Sequence, residues 1–337
     1  MSWTGKRPGV TAPYRKPHLS VSGQVCLLRQ RGLVVVDVVA AERLLGAVGY
    51  YRLSAYTYPY REFLPPGTQP ESRTQFRADT IRAGTTFEQV AALYEFDLRL
   101  RRLCLAATGT VEVGLRTRVA DVLGARDPFG HAHIEALDPT ACRTTIRGGR
   151  TRFDAWQSRS EQLLRQARNE DFVAHFKHKY DPPPPVWVAC ETWDFGALSR
   201  VMGLLRKGDA ITVARSVGVE NGSLLVHIAE GLNIVRNISA HHGRLWNRTL
   251  TQSMRRFQPD DVPHELRHLT SIRARGSVYP WLTWLAYLSK SFNPTVTFPS
   301  EVRALVETLQ SLTGFAPVVD MGFPKTWRQE QIWRPGT

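Results

Sequence analysis

The chain has 337 residues, and its 44 basic and 30 acidic side chains give a formal net charge of +14. Because 42% of the residues are hydrophobic, the chain can bury a real core, and global disorder is excluded. A protein this basic usually meets nucleic acid rather than a membrane, since no apolar run of 18 residues occurs and each Lys or Arg beside a phosphate releases counterions.

The N-terminal third begins with an unopposed basic arm, because the first acidic residue is Asp37. Ser20 predicts the N-cap of a helix over 21–31, and a second helix is predicted from Asp37 to Val48. The stretch GYYRLSAYTYPYREF predicts a short helix or a strand, and the turn-rich residues 65–80 predict a loop.

Helical spacing dominates the remainder of the chain. A strong helical region begins at Thr85 or Thr86 and continues to about Leu123, with Gly109 as a candidate interruption. Further helices are predicted over residues 153–168, 171–179, 186–206, 209–217, 222–236, 264–275, 278–291 and 299–313, and the C-terminal stretch FPKTWRQEQIW is predicted to be docked. A Gly-Gly pair with four arginines predicts an exposed basic loop: Arg143, Arg147, Arg150 and Arg152. The predicted fold class is all-α, divided into residues 1–67, a linker at 68–84 and a larger helical domain at 85–337.

One segment, RNISAHHGRLWNR at residues 236–248, carries the strongest indication of function. It holds three arginines and two adjacent histidines, and no Asp or Glu occurs between residues 231 and 259. A ribonuclease that works without metal needs a base for the 2′-hydroxyl proton, an acid for the 5′-oxygen and cations for the charge on phosphorus. Histidine titrates in the right range, and arginine binds phosphate through two parallel hydrogen bonds. Asn237 can orient either group, and Trp246 can stack on an unpaired base.

Packing offers a competing interpretation of the same segment. Arg236 would then pair with a buried carboxylate such as Glu191 or Glu230, and the histidines would cap a helix. Helix geometry adds a constraint, because five residues rotate by about 140°, so Arg236 and His241 do not share a face. They meet one phosphate only if the arginine swings round, if the helix bends or starts between them, or if a second copy contributes.

Other histidines and the cysteines give weaker indications. The pairs His131 with His133 and His175 with His178 have spacings that suit a metal, but no cysteine or acidic cluster completes a site, so we expect no metal and no cofactor. His227 is expected to be a satisfied core residue. Four separated cysteines form no CxxC pair and the N-terminus lacks a signal-peptide core, so we expect a cytoplasmic protein.

The segment 236–248 resembles the R-x4-6-H motif of the HEPN superfamily, whose active members are metal-independent endoribonucleases. It also resembles the signature of the Abi-like (abortive infection) family of bacterial phage-defence proteins. Other stretches resemble that family in the same order: KPHLSVSGQVCLLRQRGLVV with LLGAVGYYRLSAYTYPYR, TTFEQVAALYEFDLRLRRL with VEVGLRTRV, PPVWVACETWDFGALSRV, and MGFPKTWRQEQIW. A single R-x4-6-H match is weak, whereas matched blocks in order over about residues 16–335 are strong.

The resemblance implies an all-α fold around a HEPN helical bundle, with a small N-terminal helical region. Arg236 and His241 would be the catalytic pair, with Asn237 as the polar residue after the arginine and His242 as the alternative histidine. Because the superfamily places two such motifs face to face, a homodimer is expected to complete the site. Some Abi-like proteins resemble toxins held in check by a partner, such as a small non-coding RNA. The candidate RNA contacts are Lys16, Arg52, Arg143, Arg147, Arg150, Arg152, Arg244, Trp246, Asn247 and Arg248.

Three functions follow from these patterns. The first is a toxin-like endoribonuclease of a phage-defence system that cuts RNA by attack of the 2′-hydroxyl. The alternative is a non-catalytic RNA-binding protein, which predicts salt-dependent binding without cleavage. The third is a DNA-binding regulator that uses residues 20–48 as a helix-turn-helix, although the turn LVVVD is apolar where a recognition helix should begin.

Overall fold

The structure is a computed structural model that describes residues 17–68, 76–313 and 317–334. The chain divides into two compact units, Met1–Tyr94 and Glu95–Thr337. The all-α class is confirmed, because the described residues are mainly helical and contain one sheet of two short strands. The basic arm with Lys16, and residues 69–75 of the predicted linker, lie outside the described residues, so both stay predictions.

The first unit consists of short helices and a small sheet. Its elements are α1 (Val21–Gln30), α2 (Val38–Val48), α3 (Tyr50–Thr57), β1 (Arg61–Phe63) and β2 (Arg77–Ile81), with β1 antiparallel to β2. The predicted N-cap at Ser20 is confirmed, because its Oγ accepts from Gly23 N at 3.2 Å. The tyrosine-rich stretch forms both a helix and a strand. Seven residues connect α1 to α2, more than the three or four of a helix-turn-helix, so the fold does not favour a DNA-binding regulator.

The second unit is built from helices joined by loops and short 3₁₀ turns. The long helix α4 (Phe87–Gly124) enters it. It is followed by α5 (Pro139–Arg143), α6 (Arg152–Gln166), α7 (Asp171–Lys179), α8 (Val186–Ala189), α9 (Phe195–Met202), α10 (Lys207–Arg215), α11 (Gly222–Ala240), α12 (Tyr279–Phe292), α13 (Phe298–Thr313) and α14 (Pro317–Asp320). The predicted helices over 153–168, 171–179, 209–217, 278–291 and 299–313 are confirmed within two residues at each end.

Some predicted helices differ from the structure. The helix predicted over 186–206 breaks between α8 and α9, because Asp194 leaves the helical conformation and accepts from Ala197 N at 2.7 Å as the N-cap of α9. The helix predicted over 264–275 is instead a 3₁₀ helix at His264–Ser271. Gly109 does not interrupt α4.

The core of the second unit centres on α12. Because this helix is apolar nearly all round, it is buried, with Trp281 and Trp284 fully inaccessible. Gly231 of α11 allows the close approach of these helices, since a Cβ atom there would lie 1.8 Å from Cζ3 of Trp281. The C-terminal stretch is docked as predicted, with Trp333 buried and its carbonyl oxygen accepting from Arg303 Nη1 at 2.7 Å.

Candidate active site

Arg236 and Asn237 lie on the last two turns of α11. The helix begins at Gly222, where Asn221 accepts from Leu224 N at 3.1 Å, and it continues past the predicted end at residue 236. Arg236 is half-buried, and its Nη1 donates to Oδ1 of Asn237 at 3.2 Å. Asn237 Nδ2 donates in turn to Oδ1 of Asn233 at 3.3 Å. The asparagine therefore contacts the guanidinium, and the orienting role expected for the polar residue after Arg236 stays a prediction.

Both candidate histidines are exposed at the C-terminal end of α11. His241 is the C-cap and its N–H donates to the carbonyl oxygen of Asn237 at 3.0 Å. His242 follows with a φ of +55°, its N–H donates to Ser239 O at 3.2 Å, and Gly243 N donates to Ile238 O at 2.8 Å. These are the bonds of a Schellman motif, in which glycine usually occupies the left-handed position. A histidine in this position is uncommon and carries a backbone cost that glycine would avoid.

The helix does not bend or start between Arg236 and His241. Regular α-helix continues to Ala240, so the two residues keep the rotation expected from their spacing. Two of the predicted ways to bring them to one phosphate remain. Either the long arginine side chain swings towards the helix end, or a second copy supplies the missing groups.

Asp97 of α4 fixes the segment that follows the histidines. Its Oδ1 accepts from the backbone N–H groups of Leu245 at 3.0 Å and Trp246 at 2.6 Å. Its Oδ2 accepts from Arg101 Nε at 3.1 Å, and both side chains of this ion pair are buried. The carboxylate thus holds the chain only a few residues after His241 and His242, and it positions the end of the motif.

Asp97 was not predicted from the sequence, although a signal was present. Leu93, Leu100 and Cys104 lie four residues before, three after and seven after it, so all four share one helix face. That face is buried. A carboxylate in an apolar stripe needs a buried partner, and Arg101, one helical turn later, is the partner nearest in sequence.

Glu112 and Arg116 form an ion pair one turn apart on α4, and Arg116 Nη2 also donates to the carbonyl oxygen of Trp193. Burial raises the pKa of Glu112, whereas the positive charges of Arg116 and Arg236 oppose that rise. The guanidinium of Arg236 therefore lies near this pair. Within the described ranges, however, no carboxylate comes within 4.0 Å of it.

The packing interpretation of Arg236 is therefore only half correct. Arg236 forms no ion pair with Glu191 or Glu230, and the neighbours of Glu230 are Arg152, Gln252 and Arg255. The other half holds, since His241 is the C-cap of α11.

The rest of the motif divides between the core and the surface. Trp246 is fully buried, so its ring has no face open to an unpaired base, and the structure corrects the stacking prediction to a core role. The cause is the tie from its backbone N–H to Asp97. Arg244 lies 5.9 Å from the centre of that ring. Asn247 and Arg248 are exposed, with Asn247 in the left-handed region at a φ of +47° and Arg248 Nη1 donating to Arg244 O at 3.4 Å.

The other predicted RNA contacts lie away from the motif in sequence. Arg147 and Arg150 are exposed on the loop between α5 and α6, as predicted, and Arg143 is exposed as the last residue of α5. Arg152 departs from them, because it is half-buried at the start of α6 and lines a cavity. Arg52 is exposed on α3 of the first unit.

The described residues contain no cluster of three or more His, Cys, Asp or Glu side chains that could hold a metal ion. His131 is buried, and His133 Nδ1 lies 2.9 Å from Oδ2 of Asp127. His227 is satisfied as predicted, with Nε2 accepting from Arg255 N at 3.2 Å. Among the described helices, none combines the length and the apolar character needed to cross a membrane.

Comparison with known families identifies one match, to the family described as Abi-like protein, over residues 43–247. The matched range is more than half of the chain and includes Arg236, Asn237, His241 and His242. No curated protein and no solved structure matches the chain. By this match, the chain belongs to the Abi-like protein family.

Proposed function

We propose that this chain is a metal-independent endoribonuclease that acts in abortive infection defence. The observation that carries the proposal is the end of α11, where His241 and His242 are exposed and Arg236 has no carboxylate partner among the described residues. Buried structural arginines usually form an ion pair, whereas the guanidinium of Arg236 lies near Glu112 without forming one. An arginine that is bonded to an amide oxygen, on the same helix end as two exposed imidazoles, suits an anionic substrate.

The chemistry needs only these side chains and RNA. One imidazole takes the proton of a 2′-hydroxyl, and the 2′-oxygen attacks the adjacent phosphorus. The bond from phosphorus to the 5′-oxygen breaks, and a protonated imidazole donates its proton to that leaving oxygen. Arg236 stabilises the negative charge that develops on the phosphoryl oxygens. The products are a 2′,3′-cyclic phosphate and a 5′-hydroxyl.

A homodimer would bring together an arginine and a histidine that a single copy places on different faces of α11. Because Arg236 and His241 do not share a face, two copies of α11 meeting at their C-terminal ends would place the arginine of one beside a histidine of the other. Co-expression tests this directly. An Arg236→Ala copy and a His241→Ala, His242→Ala copy, each inactive alone, should regain cleavage when mixed, because one composite site keeps all its groups.

Membership of the Abi-like family supports the defence role, and the exposed Arg143, Arg147 and Arg150 support an RNA partner. A polyanion such as a small non-coding RNA on this loop would control the toxin. The same loop favours the second candidate function, a non-catalytic RNA-binding protein. In that case the arginines would bind RNA and the histidines would not matter.

The decisive experiment compares purified wild type with the Arg236→Ala, His241→Ala, His242→Ala variant on single-stranded RNA in EDTA. We expect wild type to give products that end in a 2′,3′-cyclic phosphate, and the variant to lose about 10²–10⁴-fold in rate. A matched control, Arg256→Ala, His175→Ala, His178→Ala, removes the same residue types from exposed positions and should keep full activity. If neither wild type nor variant cuts RNA and both bind it equally, the ribonuclease proposal falls.

A further inference from the structure

A cavity of about 750 Å³ opens in the second unit, separate in its lining from the candidate active site. Its walls come from the end of α9, the start of α10, the first half of α11 and the first residue of α6. None of the lining residues belongs to segment 236–248. The volume lies within the range of about 300–1,000 Å³ typical of small-molecule sites.

The guanidinium of Arg152 places a positive charge in the lining of this cavity. Its side chain is half-buried and forms no hydrogen bond or ion pair with any described residue. Gly203 makes room for it, since a Cβ atom on that glycine would lie 2.6 Å from Arg152 Nη2. Lys207, at the start of α10, adds a second cation to the lining. A half-buried arginine without a protein partner has N–H donors that an anionic ligand would satisfy.

Glu230 places one carboxylate in the same cavity. Burial raises its pKa, and Arg152, a hydrogen bond from Gln252, and Arg255 lower it. The positive charge of Arg152 acts to lower the pKa of Glu230, but the two side chains form no ion pair, so more than 4.0 Å separates their charged atoms. An acceptor and a cation therefore line one space without neutralising each other.

The other carboxylates of the lining already have structural roles. Asp138 caps α5 by accepting from Ala141 N at 2.8 Å. Asp261 accepts from Gln258 N at 2.9 Å, and Glu220 pairs with an arginine of α10 at 2.8 Å. Two cations and one carboxylate remain for a ligand.

We propose that this cavity binds a nucleotide, with its phosphate on Arg152 and Lys207 and an N–H edge of its base on Glu230. Guanidinium and phosphate match in geometry, and a carboxylate accepts from the amino and ring N–H groups of guanine, adenine or cytosine. A small zwitterion such as an amino acid carries the same pair of charges but would leave most of the volume empty. The nucleotide is either free or an unpaired residue of an RNA that the adjacent basic loop attracts. This site goes beyond the proposed cleavage and needs neither Arg236 nor His241.

The test is calorimetric titration of the full chain with AMP, GMP, CMP, UMP and inorganic phosphate. A single-stranded RNA of eight nucleotides is titrated into the Arg236→Ala, His241→Ala, His242→Ala variant, which should not cut it, with and without Arg152→Gln. We expect at least one of AMP, GMP and CMP to bind more tightly than UMP, whose base offers Glu230 fewer donors. Arg152→Gln should weaken that binding about tenfold or more. Its matched control, Arg168→Gln at an exposed position after α6, should change it less than about twofold. Glu230→Gln should reduce the preference among bases and leave inorganic phosphate binding unchanged.

The same titrations distinguish a free nucleotide from a nucleotide that is part of an RNA chain. Binding of mononucleotides indicates a free ligand, whereas binding of the oligomer alone, weakened by Arg152→Gln, indicates a residue of an RNA chain. The proposal is overturned if Arg152→Gln alters neither kind of binding, or if every nucleotide binds no better than phosphate. Gly203→Ala displaces the guanidinium without removing it and should give the same loss if Arg152→Gln folds poorly. The variant lacking Arg236, His241 and His242 should bind mononucleotides in this cavity as wild type does, so failure of cleavage and failure of this site are distinguishable.

Discussion

The hydrogen bonds that the segment after α11 donates to Asp97 give the sharpest test of how the candidate active site is positioned. Asp97→Ala leaves two backbone N–H groups, those of Leu245 and Trp246, without their acceptor and Arg101 as a buried charge without its partner. Removing one partner of a buried ion pair costs about 3–5 kcal/mol. Since folded proteins are stable by about 5–15 kcal/mol, the variant should fold but lie near the margin.

Two measurements separate a local from a global effect. Urea unfolding followed by circular dichroism gives the change in free energy of unfolding. Hydrogen exchange reports the backbone amides of Leu245 and Trp246, which should lose protection in Asp97→Ala even where the protein stays folded. Removing both charges, in Asp97→Ala with Arg101→Met, should cost less than removing Asp97 alone, because no charge is then left buried and unpaired. Slower RNA cleavage in Asp97→Ala, with folding preserved, would connect the anchor to the histidines.

A matched control lies on the same helix. Asp121 is exposed on α4 and forms no ion pair with the described residues, so Asp121→Ala should change the unfolding free energy by less than about 0.5 kcal/mol. Equal effects of Asp97→Ala and Asp121→Ala, in unfolding and in amide exchange, would refute the anchoring role.

Three further predictions concern packing, strain and pH. Gly231→Ala should lower the unfolding free energy by about 3 kcal/mol, because its Cβ would lie 1.8 Å from buried Trp281. Gly46→Ala, on the open surface of α2, should instead raise the unfolding free energy by up to about 1 kcal/mol. Similar denaturation midpoints for the two variants would contradict this. His242→Gly should raise the unfolding free energy by about 1 kcal/mol, because it relieves the left-handed backbone, and a loss would mean that the imidazole contacts outweigh the strain. Burial lowers the pKa of His131 from 6.5 to about 4, so the unfolded chain binds a proton that the folded chain does not, and stability should fall by about 3 kcal/mol as the pH drops from 6.5 to 4. His131→Gln should flatten that slope in urea titrations, and an unchanged slope would count against the assignment.

The sequence predicted most helices because their signals are local. Ser20 and Asp37 identified helix starts, and the apolar spacing located α4 and α12. The break between α8 and α9 was missed, although Asp194 is itself a local capping signal, because apolar residues continue on both sides of it. At His264–Ser271 the chain tightens to a 3₁₀ helix, which the spacing of apolar residues does not distinguish from an α-helix over so few turns.

The candidate site was predictable only in part. The motif identified Arg236, Asn237, His241 and His242, and the structure brings them to one helix end. The burial of Trp246 could not be read from its neighbours, since the group that draws it inward, Asp97, is 149 residues earlier. Arg152 likewise follows three exposed arginines in sequence, and only the fold turns it into the cavity.

The separation of Asp97 from its partners also bears on the order of folding. Asp97 and Arg101 lie one turn apart on α4, so the pair can assemble as soon as that helix forms. Leu245 must then close a loop of 148 residues to reach it, and long loops are slow to close because of their entropy. Residues 241–248 should therefore pack late onto the Asp97–Arg101 pair, which forms early. They should have little structure in the folding transition state. During synthesis, the chain would form the Asp97–Arg101 pair before its histidines had left the ribosome, and residues 241–248 would become ordered only when that segment was complete.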